Sequence, residues 1–210
     1  MKKALFVVFL VLFIDQVIKF YVKTHFFLGD EFRVIGNWFI VHFTENNGMA
    51  FGMEIQGQYG KLFLSIFRIL AVLGIGWYLF YLTRKKAPGI MVIGFALIFA
   101  GAIGNIIDSI FYGVLFSDSN YQVAQFLTPE GGYAGLLHGK VVDMFYFPII
   151  EGHFPSWFPL WGSEEFIFFR PVFNFADASI TFGVAVILLF QKDFFKKEEA
   201  RENNKEEEVN

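Results

Sequence analysis

The chain has 210 residues, of which 55% are hydrophobic and only 18% charged, with 31 phenylalanines and a mean hydropathy of +0.50. That balance excludes an ordinary water-soluble domain, which has no use for so much apolar surface. The formal net charge of −3 says nothing of partners, because most of the acid lies in the tail from Glu198 to Glu208, and the absence of cysteine excludes disulfides, thiol nucleophiles and thiolate metal sites.

In chain order, the first apolar stretch, Ala4 to Val22, follows Met-Lys-Lys and imitates a signal peptide. Asp15 and Lys19 lie inside it and no small-residue cleavage site follows it, so it reads as a retained helix. Trp38 to Thr44 is β-branched and aromatic, which suits a strand, and Asn46-Asn47-Gly48 supplies a turn. Leu62 to Leu82 and Ile90 to Phe111 are further apolar stretches joined by a short loop containing Arg84-Lys85-Lys86. Between Gly113 and Pro171 come five of the six prolines, Trp157, Trp161 and many phenylalanines, a composition suited to the membrane interface. Val172 to Phe190 is the fourth stretch, and Glu198 to Asn210 is a polar tail without apolar periodicity, expected to be disordered.

A hydrocarbon core of about 30 Å takes about 20 helical residues to cross, so the expected fold is a membrane all-α bundle of four transmembrane helices with β-rich elements outside the cytoplasm. Lysine and arginine at Lys2-Lys3, Arg84 to Lys86, Lys192 and Lys196-Lys197 put both termini and the short loop in the cytoplasm by the positive-inside rule. The two longer connections then face the outer side. Counting from Val172 puts Asp177 roughly 7 to 8 Å below the outer boundary at about 1.5 Å per residue. Asn105 and Asp108 fall near the outward end of the third stretch.

A carboxylate in or beside hydrocarbon is costly, about 2.5 to 3.5 kcal/mol on insertion scales, and marks chemistry or ion handling by default. Asp143 and Asp177 are the candidates. Two carboxylates that converge can share a proton: the ionised one takes a proton from water while the other polarises a carbonyl, which hydrolyses an amide without a covalent intermediate. Each residue also has a structural reading. Asp15 and Lys19, four apart, form an ion pair along one helix; Asn105 and Asp108 divide between helix-end hydrogen bonding and support of chemistry; Asn46 is an ordinary turn residue. His25, His42, His138 and His153 show no metal-ligand spacing, and no phosphate loop, serine elbow or basic nucleic-acid patch occurs. A metal, a cofactor and a nucleic-acid partner are therefore not expected. The rival readings are a proton-coupled transporter using Asp15, Asp108 and Asp177 as a relay, for which repeated halves and broken spans are missing, and a protein that binds lipidated peptides without cutting them.

Five motifs in order carry a resemblance: Asp15-Gln16-Val-Ile-Lys19, Glu45-Asn46-Asn47-Gly48-Met49-Ala50-Phe51-Gly52, Gly101-Ala-Ile-Gly104-Asn105-Ile-Ile-Asp108, His138-Gly139-Lys-Val141-Val142-Asp143 and Phe173-Asn174-Phe175-Ala176-Asp177-Ala-Ser-Ile180. Together they resemble lipoprotein signal peptidase, or signal peptidase II, over nearly the whole chain except the tail. The resemblance implies an aspartic endopeptidase of the bacterial inner membrane, and a monomer is expected. Its expected substrate is a prolipoprotein held in lipid and cut before a diacylglyceryl-modified cysteine, with Asp143 and Asp177 as catalytic dyad. It also implies support from Asn46, Gly48, Asn105, Asp108, Asn174 and Ala176, with Asp15 and Lys19 structural, in a single domain over 1–197. Ser109 stands where the family carries arginine, and Arg68 is expected to supply the missing positive charge. The stretch Val114 to Leu137 reads as an insertion in the outer region, and with the Asn46 to Met53 loop it is a candidate cover over the substrate.

Overall fold

The computed structural model describes residues 1–47, 58–153, 155–157 and 163–191. Gly48, most of the Asn46 to Met53 loop, Trp161, the basic residues after Gln191 and the acidic tail lie outside them. The described residues divide into two compact units, one from Met1–Gln16, Phe63–Ile106 and Phe175–Gln191, the other from Val17–Leu62 and Ile107–Asn174.

The first unit is helical. Helix α1 is Lys2–His25, whose later turns belong to the second unit; α2 is Gln58–Arg84; α3 is Gly89–Leu115; and α4 is Phe175–Gln191. Three of these, α1, α2 and α3, are long and apolar enough to cross a membrane. Their apolar residues are spread all round the helix, as lipid-facing surfaces require, because in hydrocarbon a helix satisfies its own backbone and needs no polar face. Phe6, Phe9, Phe13, Phe63, Phe67, Leu73, Trp77 and Phe182 accordingly point out of the protein. At the end of α2, Lys86 takes a left-handed conformation (φ 52°) and the Ala87 N–H donates to Leu82 O at 3.0 Å, closing the last turn, after which Pro88 blocks continuation.

Small residues decide how these helices pack. A Cβ on Gly101 would collide with Ala176 O, and one on Gly183 would stand 2.6 Å from Gly94 O, so α3 and α4 approach backbone to backbone. A second layer buries Ala4, Leu79 and Ala96 against Val7, Val92, Phe95 and Phe99.

The fourth apolar stretch begins differently from the expectation. Val172–Phe173 is a short strand, and helix starts only at Phe175. The pairing of Val172 with Tyr146 and Phe173 with Phe145 outcompetes the helix because valine and phenylalanine suit a pleated surface, and Pro171, with no N–H to offer a ladder, limits the strand to these two residues. Within the described residues α4 is therefore 17 residues long.

The second unit carries a four-stranded antiparallel sheet in the order β1-β2-β3-β6, with β1 Glu31–Ile35, β2 Phe39–Asn46, β3 Val141–Tyr146 and β6 Val172–Phe173. A separate ribbon pairs β4 Ile150–His153 with β5 Glu165–Phe168. Beneath the sheet lies a core of Phe43, Val142 and Met144 with Val22 of α1, Tyr112 of α3 and Phe116 just past the end of α3. Helix α3 widens to a π-helix over Asp108–Tyr112 before its last turn at Gly113–Leu115. The expected strand at Trp38 to Thr44 is present as β2, but Asn46 is its last residue, paired with Val141, instead of a turn residue.

Candidate active site

Asp143 sits in the middle of β3, where Val141, Val142, Asp143 and Met144 are all buried. Strand alternation puts Val142 and Met144 into the apolar core and leaves Asp143 on the other face. There the Asn174 Nδ2 donates to Asp143 Oδ1 at 2.6 Å, and Asn174 is itself fully buried. Asn174 follows β6 directly, so the pairing of β6 with β3 delivers the amide to the carboxylate.

Behind β3, Asp108 holds its backbone. The first residue of the π-helix, it accepts from the Val142 N–H at 3.3 Å, while Lys19 Nζ stands 2.8 Å from the same carboxylate oxygen, both side chains being fully buried. Asp108 thus meets its cation from α1. Arg68, expected to supply charge in place of an arginine at Ser109, lies on α2 in the first unit. Ser109 is buried, and its carbonyl accepts from the Gly139 N–H at 2.9 Å.

Asp177 belongs to the first unit, in the first turn of α4. Because α4 starts at Phe175, it lies only about 3 Å along the axis from the helix start at about 1.5 Å per residue, shallower than the count from Val172 gave. Asn105 Nδ2 donates to Asp177 Oδ1 at 2.7 Å. The turn is anchored by Asp15: the Ala176 N–H donates to Asp15 Oδ1 at 2.9 Å, placing an anion on the free N–H groups of a helix start, and Gln16 Nε2 donates to Asp15 Oδ2 at 3.1 Å. Gly104 makes room for this, since a Cβ there would come within 2.7 Å of Asp15 Oδ2.

The structure thus gathers the expected residues into two constellations, Asp143 with Asn174, Asp108 and Lys19 in one unit and Asp177 with Asn105, Ala176 and Asp15 in the other. In each, an asparagine amide donates to Oδ1 of an aspartate and so fixes the orientation of its carboxylate.

Sequence reading missed a third group. Glu45, the residue before Asn46, is buried against Lys23 of α1, whose ammonium also donates to Ser119 Oγ at 2.9 Å. Ser119 Oγ donates to Glu45 Oε1 at 2.8 Å and Lys140 Nζ reaches Oε2 at 3.1 Å. Burial pushes the Glu45 carboxyl up, but Lys23, Ser119 and Lys140 more than offset it, and it lies below the ordinary carboxylate range. The one signal in the sequence was the spacing of Asp15, Lys19 and Lys23, four apart and so along one face of a helix.

Over residues 7–192 the chain matches the signal peptidase (SPase) II family. A lipoprotein signal peptidase of Porphyromonas gingivalis is 54% identical over 181 residues, covering 86% of this chain and 78% of that protein. One of Amoebophilus asiaticus is 37% identical over 179 residues, covering 84% and 72%. Among solved structures, that of a bacterial membrane enzyme superposes with a TM-score of 0.60 at 26% identity, covering 92% of this chain and 90% of that one.

Proposed function

Because the chain belongs to the signal peptidase II family, membrane proteases that cleave the signal peptides of prolipoproteins, we propose that Asp143 and Asp177 are the pair that activates water. The observation that carries this reading is that Asn174, which grips Asp143, precedes Asp177 by three positions in the same segment. A proton carried by one carboxyl hydrogen-bonds to the carbonyl of the scissile amide and polarises it. The other carboxylate takes a proton from water as the oxygen attacks, and that proton passes to the leaving amine. Asn174 and Asn105, each donating to one oxygen of its aspartate, hold the two carboxylates in position, which is the geometric part of such catalysis. Asp15 acts through Ala176, and Asp108 through Val142, as supports of the two backbone segments. Asn46, at the end of β2, and Gly48 are read as contributing to substrate binding.

The substrate is a prolipoprotein carrying diacylglyceryl on the cysteine after the scissile bond. Asp177 in the first turn of α4 suits a bond held at headgroup level by acyl chains in the leaflet. α4, about 26 Å long at about 1.5 Å per residue, is the fourth span, and the lysine and arginine distribution puts both termini in the cytoplasm of a bacterial inner-membrane monomer. The 114–137 insertion lies on the outer side.

The test is cleavage of a diacylglyceryl-modified prolipoprotein by purified protein, with the new amino terminus read by mass spectrometry. Asp143→Asn and Asp177→Asn should each lower kcat by about 1,000-fold or more in folded protein, and the double variant should lose little beyond that if the carboxylates act as one unit. Substantial cleavage by either single variant removes that residue from the pair, and cleavage elsewhere than before the lipidated cysteine overturns the assigned specificity.

A further inference from the structure

We propose that Glu45, clamped by Lys23, Lys140 and Ser119, is a positioning residue that sets the register of the strand carrying Asp143; this rests on the reading of Asp143 as catalytic. Strands β2 and β3 do not pair evenly. Before the irregularity, Ile40 and Val41 face Tyr146 and Phe145; after it, Thr44, Glu45 and Asn46 face Asp143, Val142 and Val141. One extra residue of β2 is absorbed between Val41 and Thr44, so the ladder on the early side does not dictate the pairing on the later side. A slip by one residue there would turn Asp143 into the core and carry Val142 out of it.

What resists the slip is charge. Glu45 is opposite Val142, the immediate neighbour of Asp143, and both of its oxygens are engaged: Oε1 by Lys23 and Ser119, Oε2 by Lys140, the residue just before β3. Lys140 is held a second time, its N–H donating to Tyr133 Oη at 2.6 Å, while Lys23 lies 5.0 Å from the Tyr133 ring centroid. Lys23 and Ser119, both fully buried, fix the Glu45 carboxylate in place, and Lys140 ties the start of β3 to it, so a slip of β3 would pull Lys140 away from a carboxylate that cannot follow. Ser119 and Tyr133 both come from the 114–137 stretch, which gives that stretch a task in placing the catalytic strand as well as any covering role. Ion pairs that specify register at some cost in stability are known devices in packed proteins.

The experiment measures kcat and KM on diacylglyceryl-modified prolipoprotein for full-length enzyme in detergent, normalised to folded protein, with thermal unfolding alongside. Glu45→Gln keeps the shape and loses the charge. A displacement of the order of 1 Å at a catalytic group costs about 100-fold, so kcat should fall by about 10- to 100-fold with KM within about twofold. Adding Lys23→Met removes the uncompensated ammonium and should restore thermal stability without restoring kcat. If Glu45→Gln fails to fold, Lys140→Met, which leaves the Lys23 and Ser119 contacts in place, should show the same kcat-only loss at smaller size. Unchanged kcat in the folded variant, or kcat recovering together with stability in the double variant, overturns the proposal. Retained turnover in Asp143→Asn, measured in the same assay, overturns instead the assignment of Asp143 on which it rests.

Discussion

The two units hold their aspartates by different physics. In the helical unit, Asp177 is reached through close backbone packing: Gly94, Gly101 and Gly183 let α3 and α4 touch, and the polar contacts around Asp15, Ala176 and Asn105 are short-range hydrogen bonds. In the sheet unit, buried ion pairs flank the strand that carries Asp143: Lys19 on Asp108, which accepts from the Val142 N–H, and Lys23 on Glu45, which pairs with Val142. A lipid-facing helix bundle gains nothing from burying apolar surface, because lipid is as apolar as its own core, so shape complementarity of small residues must do the work. The sheet unit has an apolar core of its own but an irregular ladder, and there buried charge supplies the specificity that shape does not.

The largest effect that separates the two should come from Lys19→Met. It leaves the fully buried Asp108 carboxylate without its ammonium, a loss of about 3 to 5 kcal/mol for a broken buried pair, read as a fall in unfolding midpoint in detergent. Replacing both members, Lys19→Met with Asp108→Leu, should recover most of that stability while turnover stays low, since Val142 loses its acceptor. A double variant no more stable than the single one would mean that the pair is not what the sheet unit depends on.

In the helical unit the corresponding lesion is steric. Gly101→Ala drives a methyl against Ala176 O and within 2.7 Å of Ile180 Cγ1, and overpacking of this kind costs about 1 to 3 kcal/mol. The displaced residue is next to Asp177, so kcat should fall as well, and no charge change elsewhere should rescue it. Full activity and stability in Gly101→Ala would show that α3 and α4 tolerate separation.

The smallest effect is one of pH. The Glu45 carboxyl lies below its ordinary value of 4.5 in the folded protein. Its contribution to stability is therefore fully present above that ordinary value and disappears as pH falls through the lower folded one. Thermal unfolding of wild type and Glu45→Gln should differ at neutral pH, draw together as pH falls from 4.5, and converge only below the lower folded value. A difference that persists unchanged there would separate the carboxylate charge from the stability it is credited with.

Much of this was legible in the chain itself. Apolar runs of about 20 residues are long enough to cross a membrane, so α1, α2 and α3 follow from length and composition, and Pro88 marks the turn between the last two. The β-branched and aromatic run from Trp38 to Thr44 is strand-like whatever surrounds it, whereas Val141 to Tyr146 shows itself as a strand only through its pairing with β2. Asp143 and Asp177 stood out because a carboxylate beside hydrocarbon needs a reason. Local sequence could not assign Val172 and Phe173, which read as the start of a helix until β3 offers them a ladder. Nor could it assign Asn46, which resembles a turn residue and is a strand residue because Val141 pairs with it. Lys19 has an aspartate four positions before it, yet it reaches Asp108 across most of the chain. Lys23, Glu45, Ser119 and Lys140 are scattered over more than a hundred positions and become one group only when folded. Periodicity and hydropathy are properties of neighbours in sequence, so the sequence determined the long apolar helices, the strand at Trp38 to Thr44 and the suspect carboxylates. Register and ion pairing depend on which distant groups share a low-dielectric interior, and those only the tertiary structure decided.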